Sequence, residues 1–132
     1  MNLSRGGLRV GIDLASVDEV EKSIARFGDR YVKRVFTSHE IDSCDSDGTP
    51  DTHGLAARFA AKEATIKVLR PDAVRPDYRS IEVRKHPGGW CEIELSGTAA
   101  DMAEAAGVRQ LALSITHEAG MAAAVVVATY DN

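Results

Sequence analysis

The sequence predicts an α+β fold, with short helices first, one long helix midway and an antiparallel sheet that closes the chain. Three observations carry this prediction. Apolar residues alternate near both ends, residues 55–70 keep a helical period, and two strand-like runs flank a Pro-Gly-Gly turn. The 132 residues suit a single domain spanning 1–132, long enough to bury a core without disulfide or metal staples.

In the opening segment Leu8, Val10, Ile12 and Leu14 recur at every second position, the period of a half-buried strand, which places Asp13 beside Gly11 on the opposite face. Ser16 and Glu19 have capping-box spacing and lead a helix carrying Val17, Val20, Ile24 and Phe27, with Gly28 placed to end it. A short helix with Tyr31, Val32, Val35 and Phe36 follows, then a second capping-box candidate, Thr37 to Glu40, leading towards Cys44. Residues 45–54 are polar turn formers and read as a surface loop. The helix over 55–70 is stopped by Pro71. Strands over 80–85 and 90–95 form a hairpin through His86-Pro87-Gly88-Gly89. Thr98 is positioned to cap an alanine-rich helix ending at Gly107, Leu111, Leu113 and Ile115 alternate as a strand, and 121–129 reads as a last strand buried on both faces.

Composition narrows the function classes. A net charge of −4 argues against a generic nucleic-acid binder. The longest apolar run, 121–128, falls far short of the ~20 residues that span a bilayer, and the first residues lack a secretory apolar stretch. A soluble, cytoplasmic protein with no membrane partner is expected. Cys44 and Cys91 share no ligand spacing and read as unpaired thiols in a reducing compartment.

Four features have chemical potential. On the long helix Glu63 and Lys67 lie four apart beside Ala56, Ala60 and Ala64, while Lys62 falls inside the apolar stripe of Leu55, Phe59, Ile66 and Leu69. Small neighbours let a ligand or a second backbone approach the pair; an ordinary surface pair and a snorkelling lysine are the alternative. Asp13, at a strand end next to glycine, suits either a hard cation or a turn into the first helix. Ser114 and Thr116 share one strand face and His117 follows, a set fit for phosphate or ribose contacts or for a structural strand end. Lys22, Arg26, Arg30, Lys33 and Arg34 stand against one acid, Asp29, between positions 22 and 34: a basic patch for an anionic partner, or a solvated face.

Taken in order, GIDLASVDEVE, RVFTSHEIDSC, RFAAKEATIK and LSITHEAGMAAAVVVA resemble the holo-acyl-carrier-protein synthase type of 4′-phosphopantetheinyl transferase, short trimeric class, from about Leu8 to Ala128. The resemblance implies a phosphopantetheinyl transferase-like fold and transfer of the phosphopantetheine arm of coenzyme A to a serine of an apo acyl carrier protein, as in fatty acid biosynthesis. By motif position it implies that Asp13 and Glu63 hold Mg²⁺, that Lys67 contacts the diphosphate, and that Arg58, Lys62, Ser114, Thr116 and His117 line the coenzyme A site. It gives Glu63, or a water it orients, a part in taking the serine proton. It also implies a homotrimer with active sites between protomers.

The chain departs from the family pattern in three places. Glu19 stands where a carrier-contacting arginine is common, Arg70-Pro71-Asp72 replaces a glycine-rich turn, and Trp90-Cys91 replaces a basic residue and proline. The first departure keeps two other readings open: a transferase dedicated to a secondary-metabolism carrier, or a non-catalytic homologue that binds carrier or nucleotide.

Overall fold

The structure, a computed structural model, describes residues 6–46 and 48–131, so Asp47 of the expected 45–54 loop lies outside the described residues. The elements run β1 (Gly6–Ser16), α1 (Val17–Phe27), α2 (Asp29–Val35), α3 (Ser38–Ser43), β2 (Asp45–Ser46), β3 (Thr49–Pro50), α4 (Thr52–Leu69), a 3₁₀ turn (Tyr78–Ser80), β4 (Ile81–Lys85), β5 (Cys91–Leu95), α5 (Gly97–Ala106), β6 (Val108–Glu118) and β7 (Met121–Asp131). The terminal strands form an antiparallel sheet in the order β1-β7-β6, and β4 and β5 form the predicted hairpin.

Helix starts follow local chemistry. Ser16 Oγ accepts from the Glu19 amide at the head of α1, and Thr37 and Glu40 complete a reciprocal capping box on α3. Gly28 takes φ +59° to end α1, a conformation costly for a residue with a Cβ. Asp51 caps α4, so the helix begins inside the segment expected to be loop, and Arg70 ends it in the left-handed region just before Pro71. Thr98 does not cap α5: Ser96 precedes that helix, and Thr98 Oγ1 accepts from the Asp77 amide instead.

Helix α4 lies across one face of the sheet, against β1 and β7. Its Ala56, Ala60 and Ala64 are fully buried, and Ala15, Ala122, Ala124, Val126 and Ala128 meet it from the sheet. The same core takes in Val17 and Val20 of α1, Val32 and Val35 of α2, and Phe36 just after α2. A second apolar cluster, Ile66, Leu69, Ile81, Ala99 and Ala103, joins α4 to β4 and α5.

The sheet corrects two expectations. The apolar stripe of β1 faces away from α4: Leu8, Val10, Ile12 and Leu14 are 57–68% exposed, and the small-residue face carries the helix. The reason is steric, since a Cβ on Gly11 would stand 2.1 Å from the Ala64 carbonyl oxygen; only a glycine admits so close a crossing. Strand β7 is accordingly buried on one face only, with Ala123, Val125 and Val127 on the partly exposed side. Among the described residues no helix is long and apolar enough to cross a membrane.

Candidate active site

The crossing of β1 over α4 at Gly11 builds the site. With the two backbones in contact, the Lys67 ammonium donates to the Ile12 carbonyl at 2.6 Å and stands 3.5 Å from Asp13 Oδ1. Glu63 lies one helical turn before Lys67, and residues so spaced are neighbours on a helix surface. The two acids are largely enclosed, with side chains 19% exposed for Asp13 and 17% for Glu63, whereas Lys67 is 53% exposed. Asp13, Glu63 and Lys67 are therefore brought together, and the ordinary surface-pair reading of Glu63 and Lys67 is set aside: each turns to another partner.

Electrostatics tie the acids to each other. Burial pushes the Asp13 carboxyl above the usual carboxylate range; Lys67 pulls it back, and the negative charge of Glu63 pushes it up again. Two groups unforeseen in the sequence hold Glu63. Arg75 Nη2 donates to both its oxygens, at 2.9 and 3.2 Å, and the Tyr78 hydroxyl donates to Oε1. Burial and Glu63 push the Tyr78 hydroxyl up to about 12, so at neutral pH it is a donor.

The remaining candidates lie elsewhere in the chain. Lys62 is fully buried, 2.8 Å from Glu40, and also donates to the Tyr78 and Ile81 carbonyls. Glu40 in turn accepts from the Thr37 and Val83 amides, so this pair joins α3, α4 and β4 inside the protein. Lys62 thus neither snorkels nor has surface to offer a nucleotide. Arg58 is 6% exposed and donates to the Gly54 carbonyl and Ser43 Oγ. Ser114 and Thr116 pair with Val125 and Ala123, which pair with Ile12 and Leu14, so both hydroxyls lie on the outer face of the sheet, opposite Asp13. His117 pairs with Ala122 at the exposed strand end, on the face of Asp13.

The basic segment borders a hollow of about 590 Å³ lined by Phe27, Arg30, Tyr31, Lys33 and Arg34. Glu19 lines a second hollow, with Leu14, Ser16, Ser23, Tyr31 and Phe59.

Comparison with known proteins decides the family. The family model of the 4′-phosphopantetheinyl transferase superfamily matches residues 9–125, nearly the whole of the chain. The chain belongs to this superfamily. Holo-[acyl-carrier-protein] synthase of Solibacter usitatus is 40% identical over 120 residues, which cover 89% of this chain and 94% of the relative. Superfamily folds match as closely. The ACPS–CoA complex of Chronobacterium ammoniagenes superposes with a TM-score of 0.82 at 31% identity, covering 96% of this chain and 99% of that one. Helicobacter pylori holo-[acyl-carrier-protein] synthase in complex with coenzyme A gives 0.76 at 31% identity, over 91% and 99%. The α+β architecture and the family resemblance of the sequence are both borne out.

Proposed function

We propose that this chain is a holo-[acyl-carrier-protein] synthase, moving the 4′-phosphopantetheine group of coenzyme A onto a serine of an apo acyl carrier protein. The serine oxygen forms a bond to the phosphorus that bears the pantetheine, the diphosphate P–O bond breaks, and 3′,5′-ADP leaves; the serine proton is released. The observation that carries this reading is the meeting of Asp13, Glu63 and Lys67 at the β1–α4 crossing, in a chain that matches this superfamily from residue 9 to 125.

The donor set fits Mg²⁺. This ion favours one or two carboxylates plus phosphate oxygens and water. Among the described residues no group of three or more His, Cys, Asp or Glu is placed to hold a metal; the acids at this crossing are Asp13 and Glu63, a pair of carboxylates of the kind Mg²⁺ accepts. Asp13 and Glu63 would hold the ion, which when bound supplies positive charge to the diphosphate. Lys67, the most exposed member, would contact the diphosphate and steady the charge that grows on the leaving phosphate.

The exposed apolar stripe of β1 supports a homotrimer with sites between protomers. A neighbour covering it would also meet Ser114 and Thr116, which share that face. Those hydroxyls would then contribute to coenzyme A binding across the interface, and His117 would contribute from the Asp13 face of the same sheet. Arg30, Lys33 and Arg34, with Arg26 over the Phe27 ring, suit an acidic carrier and would supply its contacts where Glu19 replaces the family's arginine. The whole chain, 1–132, acts as one cytoplasmic transferase domain in this reading.

The test is incubation with coenzyme A, Mg²⁺ and a panel of apo carriers, followed by mass spectrometry of the carriers. A carrier heavier by one phosphopantetheine group is expected. No gain on any carrier, from correctly folded protein, contradicts the reading; loss of coenzyme A without a carrier points to a hydrolase instead.

A further inference from the structure

Glu63 is held from outside its own helix. The chain leaves α4 at Arg70, folds back through residues 71–77 and returns as the 3₁₀ turn that begins with Tyr78. There the Tyr78 hydroxyl reaches Glu63 Oε1 while its ring packs on Phe59, one turn earlier on α4, with centroids 5.6 Å apart. The backbone of Tyr78 is fixed as well, because its carbonyl accepts from the fully buried Lys62 at 2.9 Å. Lys62 is the residue next to Glu63, so the helix grips Tyr78 at the main chain and is gripped by it at the neighbouring side chain. Arg75, by contrast, is 58% exposed, and its grip on Glu63 lies open to solvent.

We infer that Tyr78 is a positioning residue, which holds the Glu63 carboxylate in place through its hydroxyl so that Glu63 and Asp13 act on one divalent ion. The inference rests on the metal assignment proposed above. A carboxylate on a helix has several rotamers, and a donor fixed at both its ring and its backbone selects one of them. Partners of this kind, one step out from a metal, typically govern metal affinity by 10- to 100-fold.

The experiment compares Tyr78→Phe with the unaltered full chain. The substitution keeps the ring on Phe59 and removes only the hydroxyl. Mn²⁺ binding in the presence of coenzyme A is read by electron paramagnetic resonance, coenzyme A binding without metal by calorimetry, and folding by thermal unfolding. The expected result is about 10-fold weaker Mn²⁺ binding, with a matching rise in the Mg²⁺ concentration for half-maximal transfer and unchanged metal-free coenzyme A affinity. Mn²⁺ binding equal to that of the unaltered chain overturns the role of Tyr78 and leaves the transferase reading standing. Parallel losses in metal-free coenzyme A binding and thermal stability reveal a structural residue and also overturn it. Failure of the unaltered chain to bind Mn²⁺ sinks the metal assignment and the inference together.

Discussion

Replacing Lys62 with methionine separates two accounts of the KEATIK helix. If Lys62 lines a nucleotide pocket, its loss weakens coenzyme A binding and spares the fold. The structure implies the reverse, because the ammonium is 0% exposed and pairs with an equally buried Glu40. Burial pulls the Lys62 pKa below its ordinary value even against the attraction of Glu40, a sign of how much desolvation the ion bears. Removing one member of a buried pair strands the other charge and costs roughly 3–5 kcal/mol. Glu40 cannot swing out to water without releasing the Thr37 and Val83 amides. Against a total stability of about 5–15 kcal/mol the loss is severe, and for a chain of this size it lowers Tm by about 11–18 °C. The assay is thermal and urea unfolding at fixed protein concentration, beside the KM for coenzyme A measured below the new Tm. A double substitution, Lys62→Met with Glu40→Gln, removes both charges and is expected to cost less than Lys62→Met alone. A Tm within about 2 °C of the parent's, together with a large rise in KM, would refute the buried-pair account.

Three further outcomes follow from the same geometry. Gly11→Ala forces a methyl into the Ala64 carbonyl and lifts β1 from α4; unfolding measurements should show a loss of at least about 1–3 kcal/mol, with transfer activity falling alongside. Asp13→Asn should abolish transfer yet raise the Tm of metal-free protein at neutral pH. The folded carboxyl titrates above the ordinary aspartate value of 3.8, so its ionised form costs the fold, and the gain should shrink as pH falls towards that value; equal Tm values at neutral pH would contradict the burial of Asp13. Ile12→Glu places a charge in the outward apolar stripe and should turn the proposed trimer into smaller species by light scattering, whereas an unchanged mass would show that this face is not the interface.

Much of this was legible in the sequence because it is local. Capping at Ser16 and Thr37, the turn at Gly28, the hairpin through His86 to Gly89 and the alanine face of α4 depend on neighbours within a few positions. A period of two, however, defines two faces without saying which one is covered. Leu8, Val10, Ile12 and Leu14 thus mark an apolar surface, and only the close approach at Gly11 shows that the helix took the other side. Lys62 stood out as a cation in an apolar stripe, but its partner Glu40 was visible only as a capping residue, and pairing across the chain has no periodic signature. Arg75 and Tyr78 come from an irregular segment, which offers no pattern from which to foresee their convergence on Glu63. Ser114 and Thr116 were placed correctly on one strand face, whose distance from Asp13 depends on sheet order.

The central claim is that the acids at the β1–α4 crossing share one ion together with the coenzyme A diphosphate. Crystals grown with coenzyme A and Mn²⁺, with data collected to locate manganese by anomalous scattering, test it most directly. The account predicts a single strong peak bonded to Asp13 and Glu63, directly or through water, and to a phosphate oxygen, with Lys67 on the same diphosphate. Bound coenzyme A with no manganese between those acids, or manganese held elsewhere, would contradict it.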